Sequence, residues 1–481
     1  MGEKSIYNTQ QIWIKPGHRM FNYFQEMCEN SKNLYNATNF FIRQVYTGLT
    51  TTKSLQPLQE EVLDTIHHNI GAINDKQIAA YDKRLANELK KPKEKQKTIY
   101  CNLFEIPDKD NPYISYNFLD ALFKQIEQPD YKSLPAQNSQ GVMRNVFDSW
   151  KSFFVSLKDY KENPTKYLGR PKIPNYIKNT MRLATFSNQD CVIKDNKFLK
   201  FPKTIEKLNI GKLGYTNEKL KSVRVIPKHG QFVVEIIFEV NTVERISETP
   251  NRVMTIDLGI DNLATITTNT GKAPALLKGK NIKSVNQYYN KMRAYYYGIL
   301  RQGKKTNEGS FSSKRLIDLD ALRHRKLKDL FHKASFFVMS ITDLEEIDTI
   351  IIGQNRGWKQ NANMSKKNNQ NFIGIPFNLF INMIKYKAET IGINVIVTEE
   401  SYTSKASFLD EDDIPVYGEE KIPKFSSRRV SRGIYRTKKN KIINADVNGS
   451  ANIMRKCLHE KGIPLHIEDV KVDHPLSYKI A

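Results

Sequence analysis

Residues 253–261, VMTIDLGID, decide the fold of this chain. An apolar run ends at Asp257, and Gly259 supplies a turn before a second run at 263–268. Short continuous apolar runs are typical of strands that are covered on both faces. A carboxylate at the end of such a strand is costly to bury unless it binds a cation. The stretch predicts strand, turn and strand, with Asp257 as a cation ligand or as an aspartate that caps the turn.

The pattern of the following residues is that of an α/β domain. Two further apolar runs, 348–355 (DTIIIGQN) and 392–400 (GINVIVTEE), predict strands, and helical spacing predicts helices at 314–344 and 376–390. Strands that alternate with helices indicate a sheet with helices on its faces.

The residues before 250 have a different organisation. Residues 6–15 alternate polar and apolar side chains and predict a strand, whereas 20–49 and 139–157 have helical spacing. Residues 169–174 (GRPKIP) form a basic linker that a helix cannot contain. From 181 to 240 the period is two, which predicts antiparallel strands. We interpret this half as one β-module that the N-terminal strand begins and a helical insertion interrupts.

The charge of the chain indicates its class of partner. The formal net charge of +24 over 481 residues predicts a polyanionic partner, either nucleic acid or an anionic membrane. No run of 18 apolar residues and no N-terminal signal core occur, so we expect no membrane partner and a cytoplasmic, nucleoid-associated location in a prokaryote. The four cysteines are scattered without a CxxC pair, which predicts neither disulfides nor a zinc site.

A second aspartate lies far downstream, in the segment 442–453 (IINADVNGSANI). Asp446 stands at the start of a predicted helix, whose small residues allow a close approach to a sheet and whose N-terminus favours an anion. Asp446 as a helix N-cap is the alternative, but it explains less well why Asn444, Asn448 and Asn452 recur every four residues. Two-metal phosphodiester cleavage needs carboxylates from separate chain segments. Asp257 and Asp446 are two candidates for such a set.

Five motifs in order carry a family resemblance: IDLGI (256–260), GQNRGWKQ with NNQNFIGIPFNLFINMIKYKAE (353–360 and 368–389), EESYTSKASFLD (399–410), RRVSRGIYR (428–436) and INADVNGSANIMRK (443–456). Together they resemble the C-terminal half of TnpB proteins, relatives of the miniature type V CRISPR effectors and of Fanzor proteins. The helix at 139–154 and the linker at 169–174 extend the resemblance weakly upstream.

The resemblance implies a multidomain α/β protein, with an RNase H-like (RuvC) nuclease domain and an N-terminal, β-barrel-like wedge module into which a helical recognition region is inserted. The expected divisions are the first wedge strand (1–19), the recognition region (20–178), the rest of the wedge (179–250), the first part of the RuvC-like domain (251–400), a small target-nucleic-acid-binding insertion (401–440) and the last part of the RuvC-like domain with the tail (441–481). It implies an RNA-guided DNA endonuclease that binds a transposon-derived guide RNA and cuts double-stranded target DNA beside a short motif. The sequence makes no prediction of oligomeric state.

The acids of the site follow the family pattern with one departure. Asp257 matches the first RuvC carboxylate and Asp446 the third, and the resemblance implies two Mg²⁺ ions, with Mn²⁺ as a substitute. The usual second-strand glutamate is replaced by Gly353. Either catalysis is lost, which leaves an RNA-guided DNA-binding repressor, or the acid has moved to Glu400, with Glu399 as the second choice. Because both aspartates are retained, we favour an active site of Asp257, Glu400 and Asp446.

A second departure is that the segment after 404 has no cysteine where TnpB proteins commonly carry zinc ligands, so no zinc is expected. We expect apolar packing there instead, by Phe408, Leu409, Val416, Tyr417 and Phe425. Candidate nucleic-acid contacts are Arg170, Lys172, Trp358, Lys359, Arg428, Arg429 and Arg432. The arginines could instead form a solvated face and the tryptophan a core contact. A DNA-binding accessory protein of a transposon that needs no guide is the remaining alternative.

Overall fold

A computed structural model describes residues 6–178, 180–211, 219–240, 249–355, 366–415, 418 and 423–480. Trp358, Lys359, Val416 and Tyr417, which were singled out in the sequence, lie outside these ranges. The chain divides into two compact units, Tyr7–Val240 and Asn241–Ala481, and the second also includes Met1–Ile6. No helix among the described residues is long and apolar enough to span a bilayer.

The first unit contains a helical region that follows its first strand. The elements are β1 (Ile6–Ile14), α1 (Phe21–Thr50), α2 (Pro57–Leu89), α3 (Tyr116–Gln125), α4 (Pro129–Ser133) and α5 (Ala136–Glu162). Helix α1 buries one stripe that includes Phe24 and Leu34, at the spacing read from the sequence. Trp150 of α5 is fully buried and donates its ring N–H to Asn39 of α1 at 2.9 Å. The predicted strand and both predicted helices are confirmed, and 169–174 is not helical.

The strands of this unit form two sheets. The elements are β2 (Ala184–Ser187), β3 (Val192–Lys194), β4 (Phe198–Lys200), β5 (Lys207–Asn209), β6 (Lys219–Lys228) and β7 (Gln231–Val240). One sheet has the order β1-β7-β6-β2, and β3-β4-β5 form the other. His229 and Gly230 connect β6 to β7, both with positive φ, as a two-residue turn of type I′ requires. The N-terminal strand thus pairs with strands that follow the helical region.

The second unit contains the α/β region that was read from the sequence. Its elements are β8 (Val253–Leu258), β9 (Asn262–Thr268), β10 (Ala275–Lys278), α6 (Lys280–Arg301), α7 (Lys314–Leu344), β11 (Thr349–Gly353), α8 (Lys366–Ile373), α9 (Phe377–Thr390), β12 (Asn394–Thr398), β13 (Arg428–Ser431), β14 (Ile434–Arg436), β15 (Ile442–Asn444), α10 (Ala445–Glu460) and β16 (Leu476–Lys479). The predicted helix 314–344 agrees with α7 at both ends.

A six-stranded sheet of order β12-β11-β8-β9-β10-β16 organises this unit. Strands β8, β9 and β10 are antiparallel neighbours, whereas β11 runs parallel to β8, and β12 parallel to β11. The tight turn from β8 to β9 requires Gly259, because a Cβ there would lie 2.8 Å from the carbonyl oxygen of Asn262. The sheet combines a three-stranded antiparallel meander with parallel strands, so the expected multidomain α/β class is confirmed.

The two faces of the sheet are covered by different helices. Met254 and Ile256 of β8 pack in one apolar cluster with residues of α7 and α9. Val253, whose side chain points to the opposite face of the strand, packs in a second cluster with residues of α10. Side chains alternate along a strand, so Asp257 lies on the α10 face. A small sheet, β13-β14-β15, directly precedes α10.

Candidate active site

Parallel strands bring the candidate acids to one edge of the sheet. Ile352 of β11 pairs with Ile256 of β8, and Gly353 at the end of β11 pairs with Thr398 at the end of β12. Asp257 is therefore level with Gly353, and Glu400 follows the end of β12 by two residues. The carboxyl ends of parallel strands meet at one edge, and open α/β sheets bind ligands there.

Glu400 lies against Gly353, the position where the family resemblance predicts an acid. A Cβ at position 353 would lie 2.5 Å from Oε2 of Glu400 and 2.6 Å from Ile453. That oxygen is buried and has no hydrogen-bond partner among the described residues. The backbone N–H of Glu400 donates to the side chain of Asn355 at 3.0 Å, which fixes the start of the loop. Burial, and next the charge of Glu399, raise the pKa of Glu400 to about 7.

The neighbouring Glu399 is engaged elsewhere. Its carboxylate accepts a hydrogen bond from the ammonium of Lys456, a side chain of α10 that is only 5% exposed. Burial alone would raise the pKa of Glu399, but hydrogen bonds from Lys456 and Ser401 bring it below its ordinary value. The two adjacent glutamates therefore differ, since Glu399 is paired and ionised, whereas one buried oxygen of Glu400 has no partner within the described ranges.

Asp446 is in the first turn of α10, but it is not the cap of that helix. Asn444 is the N-cap, and its side-chain oxygen accepts from the backbone N–H groups of Asp446 and Val447. The N-cap explanation of Asp446 is therefore wrong, because the asparagine two residues earlier satisfies those donors. One carboxylate oxygen of Asp446 instead accepts from the side-chain amide of Asn262 at 2.7 Å.

Small residues let α10 approach the sheet, as the sequence predicts. A Cβ on Gly449 would lie 3.0 Å from a carboxylate oxygen of Asp257, which is tighter than an ordinary contact. The hydroxyl of Ser450 donates to the backbone carbonyls of Thr255 and Thr265, at 3.2 and 3.1 Å. The first turns of α10 thus lie directly over the acid-bearing end of β8.

The recurring asparagines of α10 hold the loop that follows Glu400. The amide of Asn448 donates to the carbonyl of Ala406 at 2.8 Å, and its oxygen accepts from the N–H of Phe408 at 3.0 Å. The amide of Asn452 donates to the carbonyls of Thr403 and Ala406 at 2.9 and 2.7 Å. Both side chains are fully buried. The four-residue spacing therefore fastens residues 403–408 to the helix that carries Asp446.

The three acids form one electrostatic cluster. The pKa of Asp257 is raised well above its ordinary value, first by burial and then by the charges of Glu400 and Asp446. Arg429 acts in the opposite direction on Asp257, and its guanidinium lies 3.9 Å from the carboxylate of Asp446. A buried carboxyl whose pKa is raised by neighbouring acids is characteristic of functional sites. The arrangement is destabilising by itself and would be relieved by a cation.

The donors of this cluster suit a hard divalent ion. Within the described part of the chain, no three or more His, Cys, Asp or Glu side chains are close enough together to hold an ion by themselves. Mg²⁺ does not need such a cage, because it is usually bound by one or two carboxylates together with waters and substrate phosphates. The orphaned oxygen of Glu400 and the clustered charges therefore fit an ion that is completed by substrate.

The remaining candidate residues have different surroundings. Phe408 is fully buried, and Leu409 packs against the same cluster, which includes Tyr435 of β14. Arg428, Arg429 and Arg432 are exposed on the β13–β14 hairpin, and Arg432 forms an ion pair with Asp261. Arg170 and Lys172 are exposed in the first unit. The structure brings Arg429 to the acids, whereas a nucleic-acid contact for any of these side chains stays a prediction.

Three residues of the site were missed in the sequence: Asn262, Asn355 and Lys456. Asn262 follows the Gly259 turn that was singled out, so a polar residue opening the next strand was the available signal. Lys456 stands in a helix segment otherwise rich in small and apolar residues, where a charge needs a partner. Nothing local to Asn355 indicates that it binds the backbone of Glu400.

Comparisons with known proteins agree with this geometry. Residues 235–359 match the family model OrfB_IS605, described as a probable transposase, and residues 377–453 match the Cas12f1-like, TNB domain model. The TnpB-like protein ORF457 of Acidianus two-tailed virus is 22% identical over 382 residues, which cover 72% of this chain and 77% of that protein.

Solved structures were also matched. A Cas12f1-sgRNA-target DNA complex has a TM-score of 0.44 at 12% identity, with 93% of this chain and 98% of that chain covered. The mini-RNA-guided endonuclease CRISPR-Cas_phi3 has a TM-score of 0.37 at 10% identity, with 96% and 93% covered. The two family models together include Asp257, Gly353, Glu400 and Asp446. Over residues 235–359 and 377–453 the chain is thus similar to these two families, and over a longer alignment it is similar to a TnpB-like protein.

Proposed function

We propose that this protein is an RNA-guided DNA endonuclease that binds a transposon-derived guide RNA and cuts double-stranded target DNA beside a short motif. One observation carries the proposal. The charges of Glu400 and Asp446, from two other chain segments, both raise the pKa of Asp257, and a buried oxygen of Glu400 has no partner among the described residues. A protein that only binds nucleic acid gains no stability from keeping these charges together.

The acids would hold two Mg²⁺ ions, for which Mn²⁺ can substitute. When bound, the ions supply activation of water and stabilisation of the departing 3′ oxygen. The chain's own residues fix the ligands. Asn262 orients the carboxylate of Asp446, and Asn355 fixes the backbone at Glu400. Arg429 carries a positive charge beside the acids, where a scissile phosphate would be attracted.

The remaining parts of the chain would divide the recognition of nucleic acid. We propose that the helical region 20–178 and the strands of 1–19 and 179–250 hold the guide and the target duplex, and that 401–440 contacts the target strand. Base pairing with the guide would supply sequence specificity, while the protein reads backbone geometry and a short motif. The net charge of +24 supports two polyanionic partners.

The first test is to purify the full chain from cells that carry its transposon and to sequence the RNA that copurifies. A defined RNA from the transposon end is expected, whereas a protein that elutes free of RNA would favour the guide-independent accessory protein. The same complex is then incubated with target DNA and Mg²⁺, with chelated and Mn²⁺ reactions in parallel.

Variants separate an active nuclease from a guided repressor. Asp257→Ala, Glu400→Ala and Asp446→Ala are each expected to abolish cutting while guide and target binding persist. Glu389→Ala, at an exposed glutamate of α9, is the matched control and should cut like wild type. If Glu400→Ala cuts as well as wild type, the relocated acid is wrong. If wild type binds its target but leaves it intact with either metal, the repressor is the better assignment.

A further inference from the structure

Helix α6 has an unusual composition for a helix beside a sheet. Its 22 residues include five lysines or arginines, five tyrosines and no aspartate or glutamate. Only Ile282 and Asn286 are buried. A helix that is neither buried nor charge-balanced gains little from the fold itself. Its composition instead matches a surface for a polyanion that also presents flat rings.

The tyrosines of α6 lie on two faces. Tyr289 faces α7, where its hydroxyl donates to Asp320 at 2.6 Å, and Tyr296 lies under the guanidinium of Arg315. Tyr288 and Tyr295 lie on another face and are 54% and 59% exposed. They are two helical turns apart, about 10 Å along the axis. The inner rings are used by the fold, whereas the outer rings are presented to solvent.

A cation lies among the outer rings. Lys291 is exposed, and it stands three residues after Tyr288 and four before Tyr295, a spacing that places it on the same face of the helix. A groove of about 230 Å³ between α6 and α7 lies beside Tyr288, with Leu319 and Lys326 also in its lining. Alternation of aromatic rings with positive charge is the pattern by which proteins hold single-stranded nucleic acid, with bases stacked on rings and phosphates beside cations.

The start of α6 adjoins the acid cluster. The N–H of Gly279, its N-cap, donates to the carbonyl of Asp261 at 2.8 Å. The carboxylate of Asp261 forms ion pairs with Lys283 of α6 and with Arg432 of the β13–β14 hairpin. That hairpin also brings Arg429 to Asp446. The start of α6 is therefore linked through Asp261 to the hairpin that carries Arg429 beside Asp446.

We propose that the outer face of α6 binds single-stranded DNA, with bases stacked on Tyr288 and Tyr295 and phosphates beside Lys291. Stacking on a ring requires bases that are not paired in a duplex, so the occupant is a strand that has been opened. The choice of DNA rests on the proposed nuclease, whose substrate strand must reach Asp257. This surface would position the strand for cutting without taking part in the chemistry.

Affinity is measured on the full chain without metal, so that cutting does not interfere. Fluorescence anisotropy of a fluorescein-labelled oligothymidylate in chelator would compare wild type with Tyr288→Ala/Tyr295→Ala. The affinity is expected to fall about 10-fold or more. Tyr288→Trp/Tyr295→Trp should restore it, because the larger ring stacks at least as well. Tyr386→Ala, at a tyrosine of α9 that is 45% exposed, is the matched control and should bind like wild type.

Crosslinking then tests the position itself. An oligonucleotide with 5-iododeoxyuridine is irradiated with the protein, and the crosslinked peptide is identified by mass spectrometry. Crosslinks to Tyr288 or Tyr295 are expected. Crosslinks confined to other segments, together with unchanged affinity of the double alanine variant, would overturn the proposal. Crosslinks of an iodouridine RNA to α6, without any from DNA, would overturn the assignment to DNA.

The outcome is separable from that of the proposed nuclease. A protein that binds DNA through α6 but never cuts would refute the enzyme and leave this surface intact. If the Tyr288→Ala/Tyr295→Ala variant cuts guided targets at the wild-type rate, the proposed surface is refuted and the proposed enzyme is not.

Discussion

Replacement of Glu400 by glutamine is expected to stabilise the metal-free protein. In the absence of a cation, the Glu400 carboxylate is buried against Gly353, and its Oε2 has no hydrogen-bond partner among the described residues. Glutamine has the same shape without the charge. The substitution also removes one of the two carboxylates that raise the pKa of Asp257, so the buried carboxylate of Asp257 is destabilised less.

The magnitude follows from the pKa of Glu400, which rises from an ordinary 4.5 to about 7. A carboxyl whose pKa is raised in the folded state favours folding below pH 4.5 and loses that contribution as the pH rises through 7. The loss is about 3.5 kcal/mol at most, since one pKa unit corresponds to about 1.4 kcal/mol. For a unit the size of Asn241–Ala481, this corresponds to a rise in melting temperature of about 7–14 °C at most for the variant.

The assay is thermal unfolding of wild type and Glu400→Gln in chelator, at about pH 5 and about pH 8. The variant should melt higher than wild type at about pH 8, and the difference should shrink at about pH 5, where the wild-type carboxyl is protonated. Millimolar Mg²⁺ should raise the melting temperature of wild type more than that of the variant, because the ion compensates the charge that the variant lacks.

Glu399→Gln is the matched control and should behave in the opposite way. It removes a paired carboxylate and leaves the nearly buried Lys456 without its partner, so the melting temperature should fall. The reasoning is refuted if Glu400→Gln melts at or below the wild-type temperature at about pH 8 without metal. An equal difference at both pH values would also refute it, because the effect would then not come from the charge.

Three further substitutions test the same site. Gly353→Ala should lower guided cutting by about 100-fold, measured as single-turnover cleavage, because the new Cβ displaces the Glu400 carboxylate; cutting at the wild-type rate would contradict this. Asn262→Ala should raise the Mg²⁺ concentration needed for half-maximal cutting several-fold, since Asp446 loses its orienting amide; an unchanged metal titration would exclude that role. Lys456→Met should lower the melting temperature at about pH 8, and no change would show that the ion pair is dispensable.

Most of the fold could be predicted from the sequence because its signals are local. The apolar run of β8 and the helical spacing of α7 each lie within a single segment. The small residues of α10 also predicted its close approach to the sheet, now seen at Gly449. The order of the strands was less accessible, since the pairing of β10 with β16 joins residues more than two hundred positions apart. Such pairing depends on packing that no local pattern records.

The residues of the site also fall into two groups, those that a local pattern predicts and those that depend on distant segments. Asp257 and Asp446 stand at ends of predicted elements, where a single segment shows the carboxylate. The different environments of Glu399 and Glu400 could not be read locally, because the distinction depends on Lys456 from α10 and Gly353 from β11. Adjacent residues with identical side chains take different roles only when distant segments supply different partners.

The glycine at 353 and the glutamate at 400 are one structural feature. Because β11 and β12 pair in parallel register, the residue at 353 and the residue two positions beyond Thr398 compete for the same space. A Cβ on residue 353 would lie 3.2 Å from the Cβ of Glu400 and 2.5 Å from its carboxylate. A glutamate at 353 and the present position of Glu400 therefore exclude each other on steric grounds, and repulsion between two buried carboxylates would add to the exclusion. Loss of the acid from β11 opens the space that the acid after β12 fills. On this argument the missing glutamate is a condition for the relocated one, and by itself it is no evidence of an inactive site.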